Sequence, residues 1–218
     1  MGKGTILNEK QKIILNEFKI SSRLNSLFYF TGGTALSEYY LRHKESNDLD
    51  FFTKENFDSQ VVLEVINSWS KKYEFTIQSS FVDPTYIYLL KFKDGDKLKV
   101  DFAKYPFDNL KELEIIDGVR VDSFFDIAVN KFLTVNQRTE VKDFVDLYYI
   151  LEKFNFWELR DGVIAKFNIE IEPFLMAADY IKVENFENLP KMYKKLELQT
   201  LKKFFRKQAK KLGGESAK

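Results

Sequence analysis

The sequence predicts an α+β fold: a mixed β-sheet with flanking helices over residues 1–122, then a helical bundle over residues 123–212. Three observations carry this. Short apolar or alternating runs bounded by Gly, Pro and Asp recur up to residue 122 and read as strands. From Ser123 onward apolar residues recur every three or four positions, the helical period. And a Gly32-Gly33 pair ends the apolar run Phe28 to Phe30, where a backbone without Cβ can turn sharply into a helix. No linker rich in Pro, Gly or Ser separates the two parts, so they are expected to pack tightly. Residues 213–218 read as a disordered tail.

In chain order, residues 8–19 predict a first helix with Ile13, Ile14, Leu15 and Phe18 on its apolar side. The strand at Phe28 to Phe30 leads through Thr31-Gly32-Gly33 to a helix from Ala35 to about Arg42, capped by Thr34. A second strand covers Asp48 to Phe52. Val61, Val62, Val65, Ile66 and Trp69 recur at helical spacing between Asp58 and Tyr73, with Ser59 as the expected cap and Lys71-Lys72 suited to the C-terminal end of the dipole. Phe75 to Gln78 and Tyr86 to Lys93 are strands joined at Asp83-Pro84. Asp94-Gly95 predicts a hairpin into the strand Leu98 to Ala103, which Tyr105-Pro106 ends. A short strand follows at Val119 to Val121. Helices are expected at Ser123 to Thr134, Thr139 to Phe154, Trp157 to Lys166, Ile171 to Val183 and Leu189 to Leu212.

Composition narrows the class. With 218 residues, 44% hydrophobic and 31% charged, the chain can bury a sizeable core. It has no Cys, which excludes disulfides and thiolate metal sites and fits a reducing cytoplasm. Its single His excludes a two-histidine zinc site within the chain. Met1 to Gln11 is polar and charged, so no secretory leader is expected, and no apolar run approaches the ~18 residues of a membrane span. The net charge of +1 hides an asymmetry: residues 191–218 hold ten Lys or Arg against two Glu. A basic end of this kind is either a solvated helix face or a nucleic-acid contact.

The chemistry concentrates in residues 28–52. Side chains alternate along a strand, so Asp48 and Asp50 share one face while Leu49 and Phe51 take the other. Neighbouring carboxylates repel unless a cation lies between them, and Mg2+ (or Mn2+) accepts carboxylate and phosphate oxygens together. Gly32, Gly33 and Thr34 stand where a strand gives way to a helix N-terminus, which suits an anion. Asp101 is the natural third carboxylate, since its strand turns Leu98, Val100 and Phe102 to the core. Ser46 is placed to bond the turn before Asp48 or to reach a phosphate.

Gly32-Gly33, fourteen residues, then Asp48-Leu49-Asp50 resembles the nucleotidyltransferase signature of the DNA polymerase beta-like superfamily. The fuller string, Gly32-Gly33-Thr34-Ala35-Leu36 followed by His43-Lys44-x-Ser46-x-Asp48-Leu49-Asp50-Phe51-Phe52, is similar to the AbiEii/AbiGii-type toxin branch. The second half continues the likeness with Lys131, Arg138 and Lys142-Asp143-x-x-Asp146-Leu147. The resemblance covers residues 28–52 and 98–151. It implies a polymerase-beta-like catalytic domain in which Asp48 and Asp50 hold the metal and Asp101 assists the attacking hydroxyl. It also implies an NTP substrate, an RNA acceptor such as a tRNA end, and a cognate antitoxin. Lys131 is the expected ammonium for the triphosphate, and Asp143 either orients it or meets the nucleotide. Asp146 and Arg138 are weaker candidates. Lys44 stands where the family has Arg, which keeps the charge and loses the planar fork. His43 is expected to be structural. The rival readings are transfer onto a small molecule or a protein side chain, and a non-catalytic NTP-binding module.

Overall fold

A computed structural model describes residues 4–215. The chain divides into two compact units: one takes the residues up to Tyr40 together with Ser46–Ser123, the other Leu41–Glu45 and the residues from Phe124 onward.

The first unit opens with α1 (Glu9–Ile20), capped by Asn8 in a reciprocal bond with Gln11, and a short α2 (Ser22–Leu27) that periodicity did not reveal. Then come β1 (Tyr29–Thr31), α3 (Gly32–Ala35), β2 (Leu49–Thr53) and α4 (Ser59–Tyr73). The remaining strands are β3 (Thr76–Val82), β4 (Thr85–Lys91), β5 (Lys97–Lys104), β6 (Glu114–Ile116) and β7 (Val119–Val121). They form one seven-stranded mixed sheet in the order β3-β4-β5-β2-β1-β7-β6.

One row of this sheet explains its orientation. Phe30 pairs with Phe51, and Phe51 with Phe102, across three adjacent strands. Their rings meet at 5.4 Å and 5.1 Å, and Phe18 of α1 stacks on Phe51 at 4.1 Å. All four are fully buried. Because directly paired residues share a face, this aromatic row commits the next row, Thr31, Asp50 and Asp101, to the opposite face.

Several local expectations are corrected. Thr34 does not cap the helix: Thr31 is the cap residue and the helix begins at Gly32. It passes into wider π geometry over Leu36–Leu41, a form often found at functional sites, and Arg42 leaves it with a left-handed φ of 51°. Asp58, not Ser59, caps α4, accepting from the Gln60 amide at 2.8 Å. The strand expected to end at Gln78 runs on to Val82, because β3 pairs with β4 along its whole length.

The second unit is helical: α5 (Phe124–Gln137), α6 (Val141–Ile150), α7 (Phe156–Phe167), α8 (Pro173–Ile181) and α9 (Leu198–Glu215). The helix expected from Leu189 is absent before Leu198. Pro190 disfavours helix in the residue ahead of it. The following backbone is claimed by another segment: Tyr193 and Lys194 donate to the His43 carbonyl, and the Glu45 amide donates to the Lys191 carbonyl. The tail expected to be disordered from Gly213 is helical through Glu215, and the rest of that expectation lies outside the described residues. Among the described residues no helix is long and apolar enough to cross a membrane.

Candidate active site

In the first unit, β1, β2 and β5 lay Thr31, Asp50 and Asp101 side by side, Thr31 opposite Asp50 and Asp50 opposite Asp101. Asp48 lies just ahead of β2. The turn that carries it is tied down by Thr34, whose hydroxyl bonds the Asp48 carbonyl and lies 2.9 Å from the Ser46 hydroxyl. The Ser46 carbonyl accepts from the Gln11 amide at 2.7 Å. Thr34 and Ser46 thus shape the turn between the glycine pair and the carboxylates.

Gly32 sits against Asp50. Its φ is +76°, and a Cβ there would lie 2.2 Å from Asp50 Oδ2. This position admits no side chain without displacing Asp50; Gly33 follows it in the helix, without a positive φ. Gly32→Ala is expected to cost about 2 kcal/mol or more, since left-handed backbone alone costs an L-residue roughly 1–2 kcal/mol and Asp50 must also move. Urea unfolding reads this, and an unchanged midpoint would refute the close approach.

Asp101 is buried, and its Oδ1 has no hydrogen-bond partner. Burial, and the Asp48 charge behind it, raise its carboxyl above the ordinary range, although the Lys99 ammonium on Oδ2 opposes this. Burial alone would lower Lys99; Asp101 first, then Asp48 and Asp50, hold it above its ordinary value. Lys99 is a member of this site that the sequence did not single out, although its i, i+2 spacing from Asp101 on a strand is the available signal. A second unanticipated residue is Asp122. It is fully buried and braces the glycine turn by accepting from the Thr31 hydroxyl at 2.8 Å and the Asn109 amide at 2.9 Å.

The donor set suits a hard cation. It is all oxygen, it includes an unpartnered buried carboxylate atom, and its charges press on one another. As they stand, no three carboxylates or imidazoles among the described residues are gathered as a ligand shell, and Lys99 stands on Asp101 in the place a cation would neutralise.

The second unit holds its own polar cluster. Lys131 on α5 donates to Asp143 Oδ1 at 2.9 Å and lies 2.8 Å from Asp146 Oδ2; the two carboxylates project from one face of α6. Arg138 Nε donates to Asp143 Oδ2 at 2.8 Å. On its other oxygen Asp146 meets His43 Nε2 at 2.7 Å and Lys44 Nζ at 3.3 Å. Burial alone would push Lys131 down, but Asp146 and Asp143 outweigh it and hold the ammonium well above its usual range. Burial would raise both carboxyls, yet Lys131 lowers each, helped by Lys44 and His43 at Asp146 and by Arg138 at Asp143. Burial lowers His43 more than its bond to Asp146 raises it; the Asp146 carboxylate can only accept, so Nε2 donates in that bond. Lys44, buried against Asp146, serves here as a partner of a carboxylate, for which a point charge suffices.

The family described as nucleotidyl transferase AbiEii toxin, type IV toxin–antitoxin system, matches residues 14–210. An uncharacterized protein of Aquifex aeolicus is 35% identical over 136 residues, a stretch that covers 62% of each chain. Among solved structures, JHP933 from Helicobacter pylori aligns over 96% of this chain and 94% of its own, with 20% identity and a TM-score of 0.60. MenT4, a nucleotidyltransferase toxin from Mycobacterium tuberculosis, aligns over 92% and 82%, with 18% identity and a TM-score of 0.58. At these identities the two structures speak for the fold. With the family match extending over nearly the whole sequence, the chain belongs to the AbiEii nucleotidyl transferase toxin family.

Proposed function

We propose that this protein is a metal-dependent nucleotidyltransferase that moves an NMP from an NTP to an acceptor hydroxyl on RNA, as the toxin of a toxin–antitoxin pair. The observation that carries the reading is the in-register row of Asp50 and Asp101 beside Gly32, with Asp101 Oδ1 buried and unpartnered. Asp48, Asp50 and Asp101 would hold Mg2+ or Mn2+, which supplies neutralisation of the triphosphate and of the developing charge. Gly32 lets the backbone come close to a phosphate, and the amides of Gly33 and Thr34 follow it as donors. Asp101, whose carboxyl is raised by burial, is suited to take the proton of the attacking hydroxyl. The resemblance gives Lys131 the role of an ammonium for the triphosphate, and its bond to Asp143 at 2.9 Å supports the orienting role for that carboxylate. Positioning and electrostatics do most of the work in such a displacement.

The reading is tested by incubating the protein with each labelled NTP, Mg2+ and total RNA, and following the label. Label on RNA with release of pyrophosphate supports it. Label on a small molecule or on protein transfers the reaction to another acceptor, and no pyrophosphate from any NTP would return the protein to a binding module.

Lys99 supplies a sharper test of the metal. Its ammonium stands where a cation would neutralise Asp101. Lys99→Met is therefore expected to tighten Mn2+ binding about tenfold, roughly 1.4 kcal/mol, as read by titration calorimetry of the nucleotide-free protein. Equal affinity in both proteins would show that the ion does not compete with Lys99.

A further inference from the structure

We propose that the outward face of α9, with Tyr193 ahead of it in the chain, is the surface that holds the RNA acceptor; this rests on the RNA acceptor proposed above. Leu198 to Gly214 contains six Lys or Arg and no Asp or Glu. Helical geometry sorts these residues into two sides. Leu201, Phe205, Ala209 and Leu212 fall on one side and are buried. Lys203, Arg206, Lys207, Lys210 and Lys211 fall on the other, within an arc of about 140°, and all five are exposed. Lys203, Lys207 and Lys210 run down the middle of that arc and form no ion pair with any described residue. A merely solvated helix face gains from Glu placed four residues from Lys, whereas like charges at that spacing destabilise the helix. Here 203 with 207, 206 with 210, and 207 with 211 are all like-charged pairs. The face is therefore unfavourable to the protein alone, and an anion laid along it relieves the repulsion.

The carboxylates nearby do not cancel it. Arg160 holds Glu170, Lys182 holds Asp179, and Arg206 holds Glu184. Past α6, Glu152 and Lys153 offset one another. From residue 170 to 214 that leaves Glu172, Glu187 and Glu197 exposed. Seven lysines between 194 and 211 outnumber them, even with Lys191 assigned to Glu45. The regularity of the row favours a nucleic-acid strand. Lys203, Lys207 and Lys210 advance about 4.5–6 Å per step, comparable to the step between successive phosphates of a strand, and Lys serves phosphate as a mobile point charge. An anionic membrane suits a helix that exposes apolar side chains beside its cations; those of α9 turn inward. Tyr193 adds a contact for a base. Its ring is 46% exposed, while its amide is fixed by donating to the His43 carbonyl at 2.8 Å. An exposed ring beside Lys194 and Lys195 is a stacking platform for an unpaired base. Residues 43–45, to which this segment is bonded, lead along the chain through Ser46 and Asn47 to Asp48.

The test is binding of labelled bulk tRNA to the nucleotide-free protein, titrated at several salt concentrations, so that it reads the surface without turnover. Wild-type affinity should fall steeply with salt. The triple variant Lys203→Gln, Lys207→Gln, Lys210→Gln should keep its circular dichroism. It should bind at least tenfold more weakly at moderate salt, with the slope of log affinity against log salt reduced by about 2, as three lost phosphate contacts require. Tyr193→Ala should weaken binding about fivefold or more with the slope unchanged. Lys71→Gln, Lys91→Gln and Lys97→Gln together, which remove as much charge from exposed sites of the first unit, should leave both affinity and slope as in wild type. No binding of wild type at any salt would overturn the proposal. So would equal slopes in wild type and the α9 variant, or an equal loss in the control variant. Binding to anionic phospholipid vesicles that the α9 variant abolishes, with tRNA binding intact, would give the face to a membrane instead. Unchanged tRNA affinity in Tyr193→Ala would remove the platform. Failure of the transfer reading is distinct: wild type would then label no RNA with any NTP, while its tRNA binding still depended on α9.

Discussion

Replacing Asp48 and Asp50 together by Asn is expected to abolish nucleotidyl transfer, lowering turnover at least a thousandfold, about 4 kcal/mol, without unfolding the protein. The backbone at both positions is fixed by other contacts. Asp48 holds its turn through its backbone carbonyl, which accepts from Thr34 whatever the side chain. Asp50 is placed by the ladder to β1 and β5 and by the aromatic row on the other face. Asn is nearly isosteric and removes repulsion against Asp101, so urea stability should be equal or higher. Transfer should fall because an amide is a poor ligand for a hard cation and cannot neutralise it. Initial rates of pyrophosphate release and urea midpoints check both halves. Turnover like wild type in the double variant would remove these carboxylates from the chemistry.

Asp146→Ala is expected to give the largest loss of stability, about 3–5 kcal/mol, the usual cost of stripping one partner from a buried ion pair. Asp146 is fully buried and is the shared acceptor of Lys131, His43 and Lys44. Without it, Lys44 loses the carboxylate it is buried against, and Lys131 keeps only Asp143. Asp146→Asn keeps the shape and one acceptor oxygen and should cost less. Denaturant unfolding of the two variants separates charge from shape, and a loss of less than 1 kcal/mol for Asp146→Ala would refute a structural role.

The same cluster sets a pH dependence. The folded-state carboxyls of Asp143 and Asp146 are depressed, so their stabilisation is complete above the ordinary unfolded value of about 4 and is lost as pH falls below it. His43 is also depressed, against an unfolded value of about 6.5. Below that pH the unfolded chain takes up a proton that the folded chain refuses, so stability should begin to decline between pH 7 and pH 5. His43→Gln, whose amide can still donate to Asp146, should remove that early decline and leave the acid limb. Thermal unfolding across this range distinguishes the two; identical slopes in wild type and variant would show that another group titrates.

Residues 28–52 were legible because their signals are local. Two glycines, a fourteen-residue gap and Asp-x-Asp depend only on chain geometry. Alternation along β2 assigned the opposite faces before any partner strand was known. Asp101 followed from the same alternation on β5. Helix and strand existence was legible for similar reasons, whereas boundaries moved where tertiary pairing intervened, as when β4 extended β3 to Val82.

By itself, then, the sequence determined the order of the strands and helices other than α2 and β6, the side of β2 and β5 that bears the carboxylates, and the family to which the Gly32-Gly33 and Asp48-Leu49-Asp50 pattern points. Tertiary structure alone decided which distant groups neutralise one another. Lys99 on Asp101, Asp122 on Thr31, and His43 with Lys44 on Asp146 are pairings whose partners lie up to 103 positions apart. It likewise decided that Leu189 to Glu197 stays out of the helix, because His43 and Glu45 take its backbone hydrogen bonds. The physical reason is that periodicity records which face of an element is apolar. Which ion pairs form depends on where folded elements bring buried charges together, and burial makes those pairings obligatory.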